Sequence, residues 1–218
     1  MFKLIISRLP IRIQRYMKNR YYHYQIGHGR FRSPEFEFNC LDKWVCKGDW
    51  VVDVGANVGH YTVRLSKLVG ENGRVIALEP VIDSFFFLTS NVFYKNYENV
   101  TLLNVGASDQ SSVFGIEIPD TSDGMGNFYQ AHFVDINRSS RSALAISIDD
   151  LKLPNEVALV KIDAEGHDLQ VLRGMKALLV RDHPVLIVES HVPEVIEFLE
   201  TFGYSYSQNE NSPNLVFE

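Results

Sequence analysis

The sequence has few cysteines and no long hydrophobic run. Cys40 and Cys46 are its two cysteines in 218 residues. They are too few for a disulfide framework, and their spacing is not that of a zinc knuckle. No apolar stretch approaches the roughly 20 residues that a membrane-spanning helix needs. We therefore expect a cytoplasmic protein from a reducing compartment, without a structural metal site.

Acidic residues are absent from residues 1–34, which carry +8, whereas the whole chain carries −6. Cations interrupt every apolar stretch there, so no secretory signal forms. We predict a basic helical appendage over residues 1–40, interrupted by Pro10. One interpretation is a solvated helix packed beside the core, and the other is contact with a membrane surface or another anionic partner. The acidic remainder argues against nucleic acid as the main ligand.

From Trp50 onward, short β-branched runs alternate with helical patterns, which is typical of a parallel sheet with crossover helices. The predicted strands are 50–54, 74–79, 100–105, 157–163 and 185–189. The predicted helices are 59–69, 83–94, 169–179 and 195–202. Two inserted strands, 113–118 and 143–148, flank a polar loop at 120–127, and a hairpin at 204–207 and 215–217 follows. We predict a single α/β domain over residues 41–218, a doubly wound, Rossmann-like, mostly parallel sheet with an inserted β-hairpin.

The loop DVGANVG follows the first predicted strand, at residues 53–59. The Gly-Lys-Ser/Thr of a P-loop occurs nowhere in the chain, and Asn57 and His60 replace two of the three glycines of a dinucleotide-binding loop. The carboxylate of Asp53 repels a pyrophosphate but attracts an ammonium, while the N–H groups of a helix N-terminus bind a carboxylate. The loop therefore predicts a site for the methionine moiety of S-adenosylmethionine.

A second acid, Glu79, closes the next predicted strand. We expect its carboxylate to accept both hydroxyl protons of an adenosine ribose. The alternative is a strand-end carboxylate that caps a helix beginning at Asp83. Further along, Asp109 either holds the adenine amino group or forms a turn.

Five segments in order resemble the FkbM-type methyltransferases: residues 51–62, 77–80, 105–109, 147–151 and, most specifically, LVKIDAEGHDLQVLRG at 159–174. The resemblance implies a class I methyltransferase fold, S-adenosylmethionine as methyl donor and usually O-methylation, often of sugars or secondary metabolites. Two departures from the common pattern are His167, where a small residue is frequent, and Gly106, where a larger one is expected. The expected cofactor contacts are Asp53, Gly55, Ala56, Asn57, Gly59, Tyr61, Thr62, Glu79, Pro80, Ala107, Ser108 and Asp109.

The end of the fourth parallel strand carries the candidate catalytic residues. Lys161, Asp163 and Glu165 alternate, so they share one face if the strand continues that far. Methyl transfer to a hydroxyl requires a positioned acceptor and removal of its proton. We predict Asp163 as the base or acceptor anchor; capping of a helix near Asp168 is the alternative.

The other candidates keep two interpretations each. Lys161 either pairs with Asp149 or Asp150 or points at the acceptor. His167 and His191 are candidate bases, or else polar surface residues. No metal-ligand spacing compels an ion, although Asp163 could share one with Glu189 and His191.

The leading functional hypothesis is an O-methyltransferase acting on a glycan, a lipid-linked sugar or a small hydroxylated metabolite. Three alternatives remain: an N-methyltransferase acting on a protein or nucleic acid, a nicotinamide-dependent oxidoreductase, and a non-catalytic binding module. The chemistry of Asp53 and Asn57 disfavours the oxidoreductase.

Overall fold

The structure is a computed structural model, which describes residues 9–27, 31, 33, 35–119, 130–190, 192–210 and 212–218. The polar loop expected at 120–127 and the candidate base His191 lie outside the described residues. The strands are β1 Trp50–Val54, β2 Arg74–Leu78, β3 Val100–Leu103, β4 Gly106–Ala107, β5 Ser112–Glu117, β6 His132–Val134, β7 Ser142–Ile146, β8 Val157–Ile162, β9 Val185–Glu189, β10 Tyr206–Gln208 and β11 Asn214–Phe217. The helices of four or more residues are α1 Ile11–Gly27, α2 Phe36–Asn39, α3 His60–Val69, α4 Ile82–Tyr94, α5 Asp168–Arg173, α6 Lys176–Asp182 and α7 Pro193–Glu200.

Seven strands form the central sheet, in the order β10-β11-β9-β8-β1-β2-β3. Strands β1, β2, β3, β8 and β9 run parallel, while β11 is antiparallel to both β9 and β10. β1, β8 and β9 are nearly continuous aliphatic runs because both faces of a parallel sheet are buried. The predicted α/β sheet and its terminal hairpin are confirmed.

The chain order reverses between β1 and β8, which are adjacent and in parallel register, with Val52 beside Val160 and Val54 beside Ile162. The chain passes from β1 to β2 and β3 on one side, and later from β8 to β9 on the other. Such a point leaves a crevice at the carboxyl ends of the strands, where doubly wound sheets bind ligands.

A second sheet contains the insertion, in the order β4-β7-β5-β6. The antiparallel pair β5–β7 is the predicted inserted hairpin. Strand β6 was not expected. The predicted strand 100–105 ends at Leu103, and Gly106 and Ala107 then form the short strand β4, which pairs with β7. A Cβ on Gly106 would lie 2.3 Å from the Phe133 ring, which accounts for the glycine at this position.

Two predicted helices differ in the structure. The first helix residue of α4 is Ile82, after Val81, so Asp83 is not its N-cap; the Asp83 carboxylate accepts a hydrogen bond from Arg15 of α1 instead. The predicted helix 169–179 breaks into α5 and α6 at Gly174. A Cβ on Gly174 would lie 1.9 Å from the carbonyl oxygen of Ser108, so the backbone turns where it contacts the loop after β4.

The segment before β1 packs on the rest of the chain. Helix α1 lies against α4, where Tyr22 meets the edge of Phe87 with ring centroids 5.3 Å apart. Phe38 and Leu41 are buried in the same hydrophobic cluster as Val51. Within the described ranges, none of the helices combines the length and apolar content needed to cross a bilayer.

Candidate active site

A cleft opens at the carboxyl ends of β1, β2 and β8 and faces the second sheet. Its walls include six of the residues expected from the sequence, namely Gly55, Asn57, Glu79, Pro80, Ala107 and Asp163. Glu165 also lines it, and Ile116, His132 and Phe133 reach it from the second sheet. The cleft therefore joins the predicted cofactor loop to the predicted catalytic strand end.

The loop after β1 is held against its neighbours by backbone contacts. The N–H groups of Gly55 and Ala56 both donate to the carbonyl oxygen of Leu78, each at 3.0 Å. Gly55 has a φ of +71°, and a Cβ there would lie 1.9 Å from the carbonyl oxygen of Asp163. Gly59 has a φ of +92° and precedes α3, close to Leu88. These glycines are required because both the dihedral angle and the space exclude a side chain.

Glu79 is a buried carboxylate at the end of β2. One oxygen accepts the N–H of Asn57 at 2.8 Å, and the other accepts the N–H of Val81 at 2.7 Å. Burial raises the pKa of Glu79 to about 7, although both hydrogen bonds act in the opposite direction. A carboxylate oxygen can accept more than one hydrogen bond, so each oxygen of Glu79 can still accept one from a ribose hydroxyl. Because Val81 directly precedes α4, its bond to Glu79 is also consistent with the alternative that Glu79 caps this helix.

Asp53 lies deeper than the sequence suggests. We expected its carboxylate to face the crevice, but the side chain is fully buried. One oxygen accepts the hydroxyl of Thr62 at 2.6 Å, and the other has no hydrogen-bond partner among the described residues. Burial raises the pKa of Asp53, while nearby Lys161 lowers it. An unsatisfied carboxylate oxygen in the interior is costly. Asp53 is not among the described residues that line the cleft, so its contact with a cofactor ammonium stays a prediction.

Lys161 and Asp163 form an ion pair at the end of β8, with Nζ 2.9 Å from Oδ2. Lys161 is buried, whereas the side chain of Asp163 keeps 27% of its surface exposed on the cleft side. The suggested pairing of Lys161 with Asp149 or Asp150 is wrong. Asp149 accepts backbone N–H groups at the start of α6, and Asp150 accepts the hydroxyl of Ser111.

The helix-capping alternative for Asp163 does not match its contacts. Asp168 itself accepts the N–H of Ala164 at 3.0 Å at this turn. The carboxylate of Asp163 is bonded to Lys161 instead and reaches the cleft.

Glu165 lies beyond the end of the strand, in left-handed backbone with a φ of +48°. The shared face expected for Lys161, Asp163 and Glu165 is therefore interrupted after Ile162. Glu165 is an exposed residue, yet partial burial of its carboxyl, with Asp163 and Glu189 nearby, raises its pKa to about 7. A carboxyl that titrates near neutral pH at a cleft is suited to proton transfer.

His167 packs beneath the second sheet. Its Nε2 lies 2.9 Å from Oγ of Ser108, and its ring meets the edges of Phe114 and Phe133. Burial lowers the pKa of His167. Ser108 Oγ also donates to Asp109. His167, Ser108 and Asp109 are not among the described residues that line the cleft. The catalytic role of His167 and the cofactor contacts of Ser108 and Asp109 therefore stay predictions.

Glu35 is a contact of the site that no sequence motif indicated. The hydroxyl of Tyr61, an expected cofactor contact, donates to Glu35 instead, and Lys161 Nζ lies 5.2 Å from the centroid of the Tyr61 ring. The partners are far apart in the chain and come from segments without a common motif, so only the fold brings them together. No cluster of three or more His, Cys, Asp or Glu among the described residues is arranged to hold a metal ion.

The fold and the site together define a class of protein. A seven-stranded sheet with one reversed strand, a glycine loop after β1 and an acid after β2 form a class I, S-adenosylmethionine-dependent methyltransferase domain. The profile of the Methyltransferase FkbM domain matches residues 53–206. The chain belongs to the FkbM methyltransferase family.

Several proteins similar to this chain are themselves described as methyltransferases. The chain is 33% identical over 147 residues to the hexuronic acid methyltransferase AglP of Haloferax volcanii, covering 66% of this chain and 56% of AglP. The crystal structure of methyltransferase FkbM from Methylobacillus flagellatus superposes with a TM-score of 0.57 at 17% identity, over 78% of this chain and 43% of that one. A putative methyltransferase from Streptococcus mutans in complex with SAH gives a TM-score of 0.52 at 14% identity, over 86% and 97% of the two chains. The chain thus spans about half the length of the first two relatives.

Proposed function

We propose that this protein transfers the methyl group of S-adenosylmethionine to a hydroxyl group of a sugar, a glycan or a small hydroxylated metabolite. The observation that carries the proposal is the position of Asp163, whose carboxylate lies on the cleft wall beside the glycine loop and is bonded to a buried lysine. The relative AglP is named for methylating a hexuronic acid, which supports a sugar acceptor.

The loop and its supporting acids would hold the cofactor. Bound S-adenosylmethionine supplies an electrophilic methyl group on a sulfonium. Glu79 would accept ribose hydroxyls with its remaining acceptor capacity, and the unpartnered oxygen of Asp53 would attract the ammonium of the cofactor. The side chains of Ile116 and Phe133 cover the cleft from the second sheet and reduce access of water.

Asp163 would act on the acceptor. Its Oδ2 is bonded to Lys161, which fixes the orientation of the carboxylate and leaves Oδ1 for the acceptor hydroxyl. Asp163 would thereby orient the hydroxyl oxygen and accept its proton during methyl transfer, in which the methyl carbon–sulfur bond breaks and S-adenosylhomocysteine is the leaving group. The ammonium of Lys161 stabilises the carboxylate before the transfer.

An acceptor screen with isotope-labelled S-adenosylmethionine tests this function. The panel contains uronic acid oligosaccharides, neutral oligosaccharides, small phenols and, for the alternatives, peptides and RNA. We expect label in a base-stable methyl ether of one of the hydroxylated acceptors. Label found in an amine or amide nitrogen, or no turnover with any hydroxylated acceptor, would contradict the proposal.

Asp163→Asn tests the assigned residue. We expect kcat to fall about 100-fold or more, within the usual range for loss of a general base, with binding of S-adenosylhomocysteine nearly unchanged. Asp150→Asn is the matched control because Asp150 contacts Ser111 on the surface. Wild-type kcat in Asp163→Asn would refute the role.

We also propose a cytoplasmic protein that contacts anionic lipid surfaces through α1. On this helix Arg12, Tyr16 and Arg20 are exposed, and no acid lies within it. Cations interspersed with aromatic side chains suit an anionic bilayer surface. We expect co-sedimentation with phosphatidylserine-containing vesicles but not with pure phosphatidylcholine, and loss of binding in Arg12→Glu/Arg20→Glu. Equal binding to both vesicles, or to neither, would contradict this contact.

A further inference from the structure

Glu35 connects the segment before β1 to the candidate active site. It lies outside residues 53–206, which match the family profile, and immediately before α2. Its Oε2 accepts the hydroxyl of Tyr61 and, more distantly, the amide of Asn214 at 3.4 Å. Three remote parts of the chain, α2, α3 and β11, therefore meet at one carboxylate oxygen.

Tyr61 carries this contact to the lysine. Tyr61 is buried, and Lys161 Nζ lies 5.2 Å from the centroid of its ring, within the range of a cation–π contact. Lys161 donates from the same Nζ to Asp163. The hydroxyl of Tyr61 thus holds the ring on one side, and the ring supports the ammonium that holds the candidate base.

Glu35 also acts on Lys161 through its charge. Burial lowers the pKa of Lys161, but Asp163, Asp53 and Glu35 together outweigh it and raise that pKa. Asp53 lies in β1 and Asp163 directly follows β8, whereas Glu35 comes from the segment before β1. Among the described residues, the titratable groups that interact with this lysine from its neighbouring elements are Glu35, Asp53, Tyr61, Glu79, Asp163, Glu165, Asp168 and Glu189.

We propose that Glu35 is a positioning residue of the methyltransferase site: through its hydrogen bond to Tyr61 and through its own charge it holds the Lys161 ammonium in place, so that Lys161 can orient Asp163. This inference rests on the proposed function, because it gives Lys161 and Asp163 their roles. It also means that the segment before residue 40 forms part of the active-site support. A domain that begins at residue 41 would lack this support.

Substitutions separate the charge from the hydrogen bond. Glu35→Gln keeps an acceptor for the Tyr61 hydroxyl and removes the charge, whereas Tyr61→Phe keeps the ring and removes the hydroxyl. We expect each variant to lower kcat about tenfold while the KM for S-adenosylmethionine stays within about twofold, because the effect falls on the acceptor side. Glu35→Asp, which retains the charge, should recover most of the lost kcat.

A second measurement does not depend on turnover. The ε-carbon signal of Lys161 in protein with 13C-labelled lysine is assigned by its absence in Lys161→Met. Its titration midpoint should lie at lower pH in Glu35→Gln than in the wild type, because a neighbouring negative charge is lost. The control is Glu37→Gln: Glu37 is buried in the same segment and bonded to Ser212 and Asn214, so this variant should lower Tm without the same shift.

The Glu35→Gln experiments can fail separately from the proposed function. An unchanged Lys161 midpoint in Glu35→Gln, or wild-type kcat in that variant, overturns the role of Glu35. So does a loss of kcat in Glu35→Gln that Glu37→Gln reproduces at equal Tm. If the wild-type protein methylates no hydroxylated acceptor, the proposed function fails, and the Lys161 titration still decides whether Glu35 controls the lysine.

Discussion

The α-carbon of Gly55 faces the carbonyl oxygen of Asp163 so closely that a Cβ atom would lie 1.9 Å from it. The Asp163 N–H donates in turn to the carbonyl oxygen of Val54 at 3.2 Å. The glycine loop after β1 and the candidate base after β8 are therefore one backbone unit at the point where the strand order reverses. Any change in the position of the loop is transmitted directly to the position of the base.

Gly55→Ala should abolish binding of S-adenosylhomocysteine. The alanine clashes with a backbone atom, which cannot move aside as a flexible side chain can, and the φ of +71° adds strain. Titration calorimetry and thermal denaturation measure the two effects. Gly48→Ala is the matched control, since Gly48 has a φ of +95° but nothing within 4 Å of its Cβ position.

The control should cost about 1–2 kcal/mol of stability for the left-handed backbone alone and leave binding intact. Gly55→Ala should cost more than the control. If the Gly55→Ala variant binds S-adenosylhomocysteine as tightly as the wild type does, the close contact between the loop and Asp163 is disproved.

Glu79 should make the protein less stable as the pH rises towards neutral. Burial raises its folded-state pKa to about 7 from an ordinary value of 4.5, so the folded protein holds this proton over a range in which the unfolded chain has released it. Its stabilising contribution is present below the unfolded pKa and is lost as the pH rises through the folded pKa. The full loss amounts to about 3 kcal/mol.

Urea denaturation at about pH 5 and about pH 7.5 measures this loss, with Glu79→Gln and Glu165→Gln beside the wild type. The pKa of Glu165 is also raised to about 7, so its variant shows how much of the decline belongs to the exposed carboxyl. Glu79→Gln should remove the larger part. A decline that is equally steep in Glu79→Gln would show that Glu79 has an ordinary pKa.

Asn99→Ala should destabilise the fold without affecting the site. The Asn99 amide donates to the carbonyl oxygens of Ser66 and Gly70 at 2.8 Å each, and Ser66 Oγ donates back to it at 2.6 Å. Losing these buried bonds at the end of α3 costs about 2 kcal/mol. The exposed neighbour Glu98→Ala serves as the control and should stay within about 0.5 kcal/mol of the wild type. Equal stability of the two variants would contradict the role of Asn99.

The central strands could be predicted from the sequence because strands buried on both faces consist mainly of aliphatic residues. Strands β1 and β9 begin and end at the predicted residues, since a parallel strand buried on both faces is a continuous aliphatic run with polar neighbours. The break at Gly174 and the short strand β4 could not be predicted. Both depend on contacts with distant residues, Ser108 and Phe133, which no local pattern encodes.

In the candidate site, too, local patterns could be predicted and contacts between distant residues could not. The cleft-lining positions Gly55, Asn57 and Glu79 follow from local chemistry at strand ends, and the structure brings them together. The partner of Lys161 was misassigned because a charge pattern alone does not identify which carboxylate a buried lysine reaches. Glu35 was missed because its contact with Tyr61 arises only when the segment before β1 folds across the sheet.

Thermal denaturation with S-adenosylhomocysteine and with NAD tests most directly whether the loop after β1 binds S-adenosylmethionine. At a concentration of 100 times its Kd, S-adenosylhomocysteine should stabilise the folded protein by about 2.7 kcal/mol and raise Tm, while NAD leaves Tm unchanged. Asp53→Asn should reduce this shift, because the buried carboxylate loses the charge that favours an ammonium. A Tm that S-adenosylhomocysteine does not move, or that NAD raises, would contradict the account.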